Sequence, residues 1–307
     1  VKKRQVPEGS VSICTIADYL GMRLVGRTEP LVHVSNGAGF GFFDSEQGCF
    51  LEDTIRKMGM DPEILPKLSE QIVVLGEYCQ IPVTIAIGDN QASFLGSVGI
   101  REDSILLNMG TGGQVSVLSK EYYQISGIET RPLIDGYRLL VGASLCGGKA
   151  YGVLEQFFRS YAVAAGAKDG SQYPVMEQLA RAGQLLENRQ AGSQMQVSTV
   201  FDGTRVNPAA KGSITGIRTS NFTPEGLTFG VLRGMAQELF DLYNKIHEKT
   251  GITAKQVIAS GNGLRKNAVL QDIFSQMFQT RVIMAPYQEE AACGSGISSL
   301  RGIGYDC

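Results

Sequence analysis

Ile81-Pro82-Val83-Thr84-Ile85-Ala86-Ile87-Gly88-Asp89-Asn90-Gln91 is the stretch from which the fold is read. Seven residues of apolar character stop abruptly at Gly88-Asp89, which predicts a buried β-strand ending in a turn, with a helix resuming from Gln91 to Val98. The same texture repeats downstream. Ser104 to Met109 and Gln114 to Leu118 read as two strands joined by Gly110-Thr111-Gly112-Gly113, a hairpin whose tip is almost all glycine. Tyr137 to Gly142 is another strand, followed by Gly147-Gly148 and a helix through Tyr161. Val197 to Phe201 is a strand leading into Asp202-Gly203-Thr204-Arg205. Leu227, Val231, Met235, Leu239, Tyr243 and Ile246 recur every three or four residues, giving a helix of about twenty residues. Gln256 to Ser260 is a strand that ends at Gly261-Asn262-Gly263, and a helix carrying Leu270, Ile273, Phe274 and Met277 follows. Strand, glycine turn, helix is an α/β pattern, and such folds take ligands at their strand ends.

Upstream, the apolar residues Val11, Ile13, Ile16, Leu20 and Leu24 predict a helix of about ten residues within 10–25. Leu51 to Met58 is a second helix, ended by Gly59, after a loop-rich stretch. Residues 166–172 form a surface loop. No repeat of solenoid length and no low-complexity segment occurs.

The chain has 307 residues, 28 Lys+Arg against 30 Asp+Glu, and a formal charge of −2. That length accommodates about two domains, and the charge balance excludes a nucleic-acid binder that works by neutralising phosphates. No run approaches the roughly 20 apolar residues of a membrane span. Val1-Lys2-Lys3-Arg4-Gln5 is followed by no apolar segment of a secretory signal, and the missing initiator Met suggests residues upstream. Six cysteines without a C-x-x-C pair read as reduced thiols in a cytosolic protein rather than a zinc or disulfide framework. Glycine is the outlier, 38 residues or about 12% against a usual share of about 7%.

Three motifs could carry chemistry. A carboxylate at Asp89 can take a proton from a substrate hydroxyl, with the amides of Asn90 and Gln91 serving neighbouring hydroxyls; equally, Asp89 could only cap the following helix. Successive N–H groups at Gly110, Thr111 and Gly112 suit a polyphosphate, or the glycines could meet a hairpin's need for positive φ. Ser260-Gly261-Asn262-Gly263 with Asn267 one helical turn on would let a flat base slide over the glycines, or is simply a tight strand-to-helix turn. No G-x-x-x-x-G-K-[ST] loop exists. His33, read as a loop residue, and His247, at the charged end of the long helix, carry little weight. Gly203-Thr204-Arg205 could aim a guanidinium at a phosphate or hold its loop by an ion pair, and the structural role is favoured.

The order of these motifs resembles that of the FGGY carbohydrate kinases. Gly88-Asp89-Asn90-Gln91 is similar to the family's catalytic G-D-x-[QA] turn, and Met109-Gly110-Thr111-Gly112 to its second phosphate loop. Gly148, and Gly263 with Asn267, fall on its nucleotide-contacting positions. Phe201-Asp202-Gly203-Thr204-Arg205-Val206-Asn207-Pro208, then Gly212-Ser213-Ile214-Thr215-Gly216-Ile217, resemble its "G-E-R-x-P … G-x-I-x-G" stretch, and Glu290 to Gly296 its closing "E-A-A-A-x-G-A" helix. Arg233-Gly234 stands where most members carry Glu-Gly, and Thr204 replaces the Glu of G-E-R. Ala143 to Gly148 and Ser260 to Asn267 look most like the sedoheptulokinase branch, which also has Arg-Gly.

The resemblance implies an α/β, actin/hexokinase-like (ribonuclease H-like) ATPase fold. Residues 1–98 would be the end of a sugar-binding domain and 99–307 the nucleotide-binding domain. The family's opening D-x-G-T-[ST] hairpin is absent, so the chain reads as about the last two-thirds of a sugar kinase and is expected to turn over weakly or not at all by itself. The resemblance further implies ATP and Mg²⁺ as cofactors, a small-molecule sugar substrate, a cytoplasmic location and no nucleic-acid or membrane partner, and it allows a homodimer. Asp89 would be the general base, Asn90 and Gln91 would hold the sugar, and Gly110, Thr111, Gly112, Gly148, Gly263 and Asn267 would meet the nucleotide.

Overall fold

The computed structural model describes residues 12–189 and 195–305; Val11, the segment Val1 to Gln5 and Cys307, all read above, lie outside the described residues. A six-stranded mixed sheet forms the centre: β1 (Ser104–Met109), β2 (Gly113–Ser119), β3 (Ile128–Pro132), β4 (Arg138–Ser144), β5 (Gln256–Ser260) and β6 (Val282–Met284). The strand order is β6-β5-β1-β2-β4-β3. β5 runs parallel to both β1 and β6, and the β1–β2, β2–β4 and β4–β3 pairs are antiparallel.

Alternation along the strands feeds two cores. Ile105, Leu107, Met109, Val115, Val117 and Leu140 face α2 (Gly147–Ala164), α3 (Tyr173–Arg189), α4 (Pro224–Thr250) and α6 (Ala268–Met277). Leu106, Leu118, Leu139 and Val141 face the other way, onto Ala92, Phe94 and Leu95 of α1 (Asp89–Ser97). α1 lies against α7 (Glu290–Gly302) with backbones touching: a Cβ at Gly96 would sit 2.0 Å from the Glu290 carbonyl, and one at Gly294 1.8 Å from that of Ala92. By packing, α1 therefore belongs to the sheet although the sequence places it before the expected division at 98/99.

The long helix α4 has 27 residues rather than about twenty, because its ends carry capping signals beyond the apolar repeat. Thr223 accepts the Gly226 N–H, Pro224 occupies the first turn, and Gly251 closes the helix at φ 73°.

Several sequence expectations need correction. The run from Ile81 to Ile87 is not an interior strand. Ile81–Thr84 pairs antiparallel with Val74–Tyr78 in a separate two-stranded ribbon, with Ile81 65% exposed. Cys79 and Gln80, both at positive φ, make its tight turn, and Pro82 suits an edge because it has no N–H to donate. Only Ile85 and Ile87, in the extended connector that follows, are buried. The helix near the start, Ile16–Leu24, buries Asp18 and turns Ile16 and Leu20 outward. The strand expected over Val197 to Phe201 is shorter, Gln196–Ser198.

Candidate active site

The connector delivers the chain to Gly88, the N-cap position of α1. Asp89, exposed, opens the helix, and its Oδ1 accepts the Asn90 N–H at 2.7 Å, one of the first-turn donors without an intrahelical partner. Its Oδ2 makes no hydrogen bond among the described residues. The Gly88 N–H donates to Ser35 Oγ at 3.0 Å, and Ser35 Oγ lies 2.8 Å from His33 Nδ1. The Ser35 N–H also points at Nδ1, at 3.2 Å. Nδ1 is therefore an acceptor, the ring proton sits on Nε2, and Nε2 donates to the Glu70 carbonyl at 3.2 Å. His33 is fully buried, and burial pushes its pKa down to about 4. The histidine set aside as a loop residue is thus a neutral buried link behind the Asp89 turn.

The far side of the turn is held by β3. Gln91 is 4% exposed and its amide donates to the Pro132 carbonyl at 3.0 Å. In this conformation its nitrogen is engaged by protein. Asn90 Oδ1 accepts Arg131 Nη1 at 2.9 Å. Arg131 Nε and Nη2 reach Glu129 Oε2 at 2.9 and 2.6 Å, and Glu129 also pairs with Arg205, as an ion pair holding that loop should. Burial lowers the Arg131 pKa, and the charge of Asp89 nearby works against that shift.

The glycine hairpin between β1 and β2 is docked on the start of α2. The Gly148 and Lys149 N–H groups donate to the Gly110 and Thr111 carbonyls, both at 3.0 Å, and the Gly110 N–H closes on Gly112 O at 3.0 Å. None of Gly110, Gly112 and Gly113 has positive φ. Close approach is what requires glycine here: a Cβ at Gly112 would lie 2.8 Å from the Ser144 carbonyl, and one at Gly148 2.4 Å from that of Gly110. Gly261 (φ 84°) and Gly263, which begin the short helix α5 (Asn262–Arg265), would both collide with Met109, the last residue of β1.

Three glycine motifs far apart in sequence thus meet at one point. There a cleft of about 1110 Å³ opens, lined by Gly110, Thr111, Gly148, Gly263 and Asn267. Gly112 is not in its wall, and neither is Asp89. Asn267 caps α6, its Oδ1 accepting the Leu270 N–H at 3.0 Å. Leu232, Met235 and Leu270 make the apolar side. Tyr151 and Tyr173, also in the wall, stack on each other at 5.8 Å between ring centroids and 29° between planes. Burial, with the charge of Glu177 beside it, pushes the Tyr151 phenol up to about 12. Lys149, in the same wall, pairs with Asp202 at 2.8 Å.

The sequence reading missed His33, Ser35, Arg131, the tyrosine pair and Lys149. Only the pairing of aromatics four residues after one glycine motif and beyond the 166–172 loop could have hinted at any of them.

A sequence profile described as "FGGY family of carbohydrate kinases, C-terminal domain" matches residues 105–300. Sedoheptulokinase of Mus musculus is 26% identical over 302 residues, an alignment covering 94% of this chain and 62% of the relative. The chain therefore spans less than two-thirds of the length of that relative. Among solved structures, the xylulose kinase from Rhodospirillum rubrum superposes with a TM-score of 0.80 at 21% identity, covering 97% of this chain and 60% of the other. Plasmodium falciparum glycerol kinase with ADP gives 0.77 at 18%, covering 96% and 59%. At such identities the likeness is one of fold, and it bears out the actin/hexokinase-like architecture expected. With all of the sheet but Ser104, the glycine hairpin and the cleft falling inside the matched segment, the chain belongs to the FGGY family of carbohydrate kinases.

Proposed function

We propose that this chain carries the nucleotide-binding and acceptor-activating parts of an ATP-dependent sugar kinase whose acceptor is a ketose such as sedoheptulose. The observation that carries the reading is the cleft, which gathers five of the residues expected to meet a nucleotide: Gly110, Thr111, Gly148, Gly263 and Asn267. Leu232, Met235 and Leu270 offer an apolar bed for adenine, and Gly110-Thr111 stands at the end where terminal phosphates would lie. Gly112 and Gly147 shape the hairpin from behind rather than line the cleft. On this reading residues up to 98 would belong to the acceptor side and 99–307 to the nucleotide side, with α1, though it packs on the sheet, carrying Asp89 to the acceptor.

In the reaction, a sugar hydroxyl gives its proton to Asp89 as its oxygen bonds to the γ-phosphorus, and the bond from that phosphorus to the β-bridging oxygen breaks to release ADP. Such transfers depend on positioning and electrostatics rather than on a His or Cys nucleophile. Asp89 suits the base because one of its oxygens is fixed by the Asn90 N–H while the side chain stays exposed. Asn90, and Gln91 through its anchoring of the turn, would place the sugar. Among the described residues no cluster of three or more His, Cys, Asp or Glu side chains could hold a metal ion. Mg²⁺, which ordinarily binds through one or two carboxylates plus substrate phosphates, would enter with ATP and neutralise phosphate charge.

Calorimetry with ATP on the 307-residue chain tests the cleft directly. Asp89→Asn in the kinase that contains this chain should remove nearly all turnover while nucleotide affinity stays as in wild type; retained turnover would sink the assignment. Sedoheptulose, xylulose, ribulose and glycerol compared side by side rank the acceptors, and a ranking headed by glycerol overturns the ketose preference.

A further inference from the structure

The long helix α4 also walls a second cavity, of about 350 Å³, which shares no residue with the nucleotide cleft. Its opposite wall is a two-stranded ribbon in which Gln196–Ser198 pairs antiparallel with Ser213–Thr215. Ribbon and helix touch through glycines: a Cβ at Gly234 would lie 2.1 Å from the Val197 carbonyl oxygen, and one at Gly230 2.8 Å from Val197 Cγ2. Arg233-Gly234, set apart by the sequence, therefore belongs to this cavity and not to the cleft.

The cavity carries more negative than positive charge. Glu238 and Asp241 line it from positions three residues apart, on one face of α4. Neither has an ion-pair partner among the described residues, and Arg233 in the same wall is engaged by Glu187. Asp241 accepts the Gln237 amide at 2.7 Å, and half-buried Glu238 accepts Ser144 Oγ at 2.8 Å. Burial raises the Glu238 pKa, and the charge of Asp241 adds to the rise. Thr199, only 1% exposed, lies beside it. Its hydroxyl is near enough to favour the charged carboxylate, yet completes no hydrogen bond among the described residues. A buried hydroxyl left unpaired is rare and costly.

We propose that this cavity is a second binding site, for a small hydroxylated organic ammonium ion, with Glu238 and Asp241 as counter-ions and Thr199 as a hydrogen-bond partner. An anion would meet two carboxylates and an arginine already engaged by Glu187. A neutral ligand would leave the half-buried charge of Glu238 uncompensated. An ammonium has three donors and no acceptor, which suits a wall of carboxylate and hydroxyl oxygens. Ser213 and Thr215, exposed on the ribbon, add hydroxyls for those of the ligand. The volume is at the small end of ligand cavities. The site stands whether or not the kinase reading does.

The test uses the 307-residue chain, ¹⁵N-labelled, in an amine-free buffer at pH 7. It is titrated with Tris and with pentaerythritol, which has a hydroxymethyl group where Tris has its ammonium. Tris should bind with a Kd of about 1 mM or tighter, and at least about tenfold more tightly than pentaerythritol. The backbone amides of residues 197–199 and 233–241 should shift, with or without ADP. Glu238→Gln, which keeps the shape and removes the charge, should lose about tenfold or more in Tris affinity. Asp241→Asn, at an exposed position, should lose less, and it decides the matter if Glu238→Gln does not fold. Equal binding of the two probes, no binding of Tris, or unchanged Tris affinity in the deciding variant overturns the proposal. So does displacement of Tris by ADP, or shifts confined to residues 88–91, 110–112 or 261–267. Potassium chloride that competes as well as Tris itself assigns the cavity to an inorganic cation and overturns the organic ligand.

Discussion

The cleft and the Asp89 turn are built on opposite principles. Around the cleft, backbone packs on backbone: Gly112 against Ser144, Gly148 against Gly110, Gly261 and Gly263 against Met109. The turn is instead suspended by side chains, with Ser35 reaching Gly88 across 53 residues of sequence and Arg131 and Pro132 reaching Asn90 and Gln91 across 41. Backbone contacts hold the first region, and side-chain hydrogen bonds hold the second. On the proposed reading, the nucleotide side is held by fixed backbone and the acceptor side by replaceable side chains.

Substitutions can break that contrast in a graded order. Gly147→Ala should be the most damaging, since its Cβ would lie 2.4 Å from both the Gly112 carbonyl carbon and the Gly113 nitrogen, atoms that cannot rotate away. Denaturant unfolding should show a loss above about 4 kcal/mol, with nucleotide binding abolished.

Next comes His33. Its folded pKa of about 4 lies below the ordinary 6.5, so the folded state binds fewer protons and stability falls as pH drops from 6.5 toward 4. The full penalty is about 3 kcal/mol. Asp18, Glu187 and Glu238, whose carboxyls are raised by burial, shift the other way. The His33 contribution is therefore read as the difference between wild type and His33→Gln, which should shrink by that amount between pH 7 and pH 4.

Ser35→Ala should cost about 1–3 kcal/mol by orphaning the Gly88 N–H, and should weaken acceptor binding while leaving ATP affinity untouched. A matching loss of ATP affinity would show the two regions to be one. Tyr173→Ala should have the smallest effect, a few-fold loss of ADP affinity by calorimetry with the melting temperature nearly unchanged, because the ring is half-exposed and stacks only on Tyr151.

The contrast also explains what could be read in advance. The sheet strands at 104–109, 113–119 and 256–260 and the long helix announce themselves through apolar periodicity, which is local. The glycine turns do so because a strand end followed by glycine is a local signal as well. The purpose of those glycines was harder to see, since close approach to Ser144 or Met109 depends on residues some 30 to 150 positions away. Side-chain relays leave no pattern at all. Arg131 is one arginine in a short strand, and Ser35 sits in a stretch that reads as loop. The apolar run at Ile81 misled for a related reason: Ile, Val and Thr favour strands whether the strand is central or at an edge, and Pro82 was the local sign of the edge.

The contact between α1 and α7 has a consequence for how the molecule is made. The helix that begins at Asp89 has its outer face completed by α7, and Thr84 Oγ1 meets Ser299 Oγ, 215 residues later, at 2.8 Å. During synthesis α1 must wait, with Ala92 and Gly96 uncovered, while the intervening sheet emerges and folds. Contacts of such long sequence separation are slow to form and expose apolar surface in the meantime. Until residues 290–302 have been made, that face of α1 lacks the partner it packs against in the folded molecule.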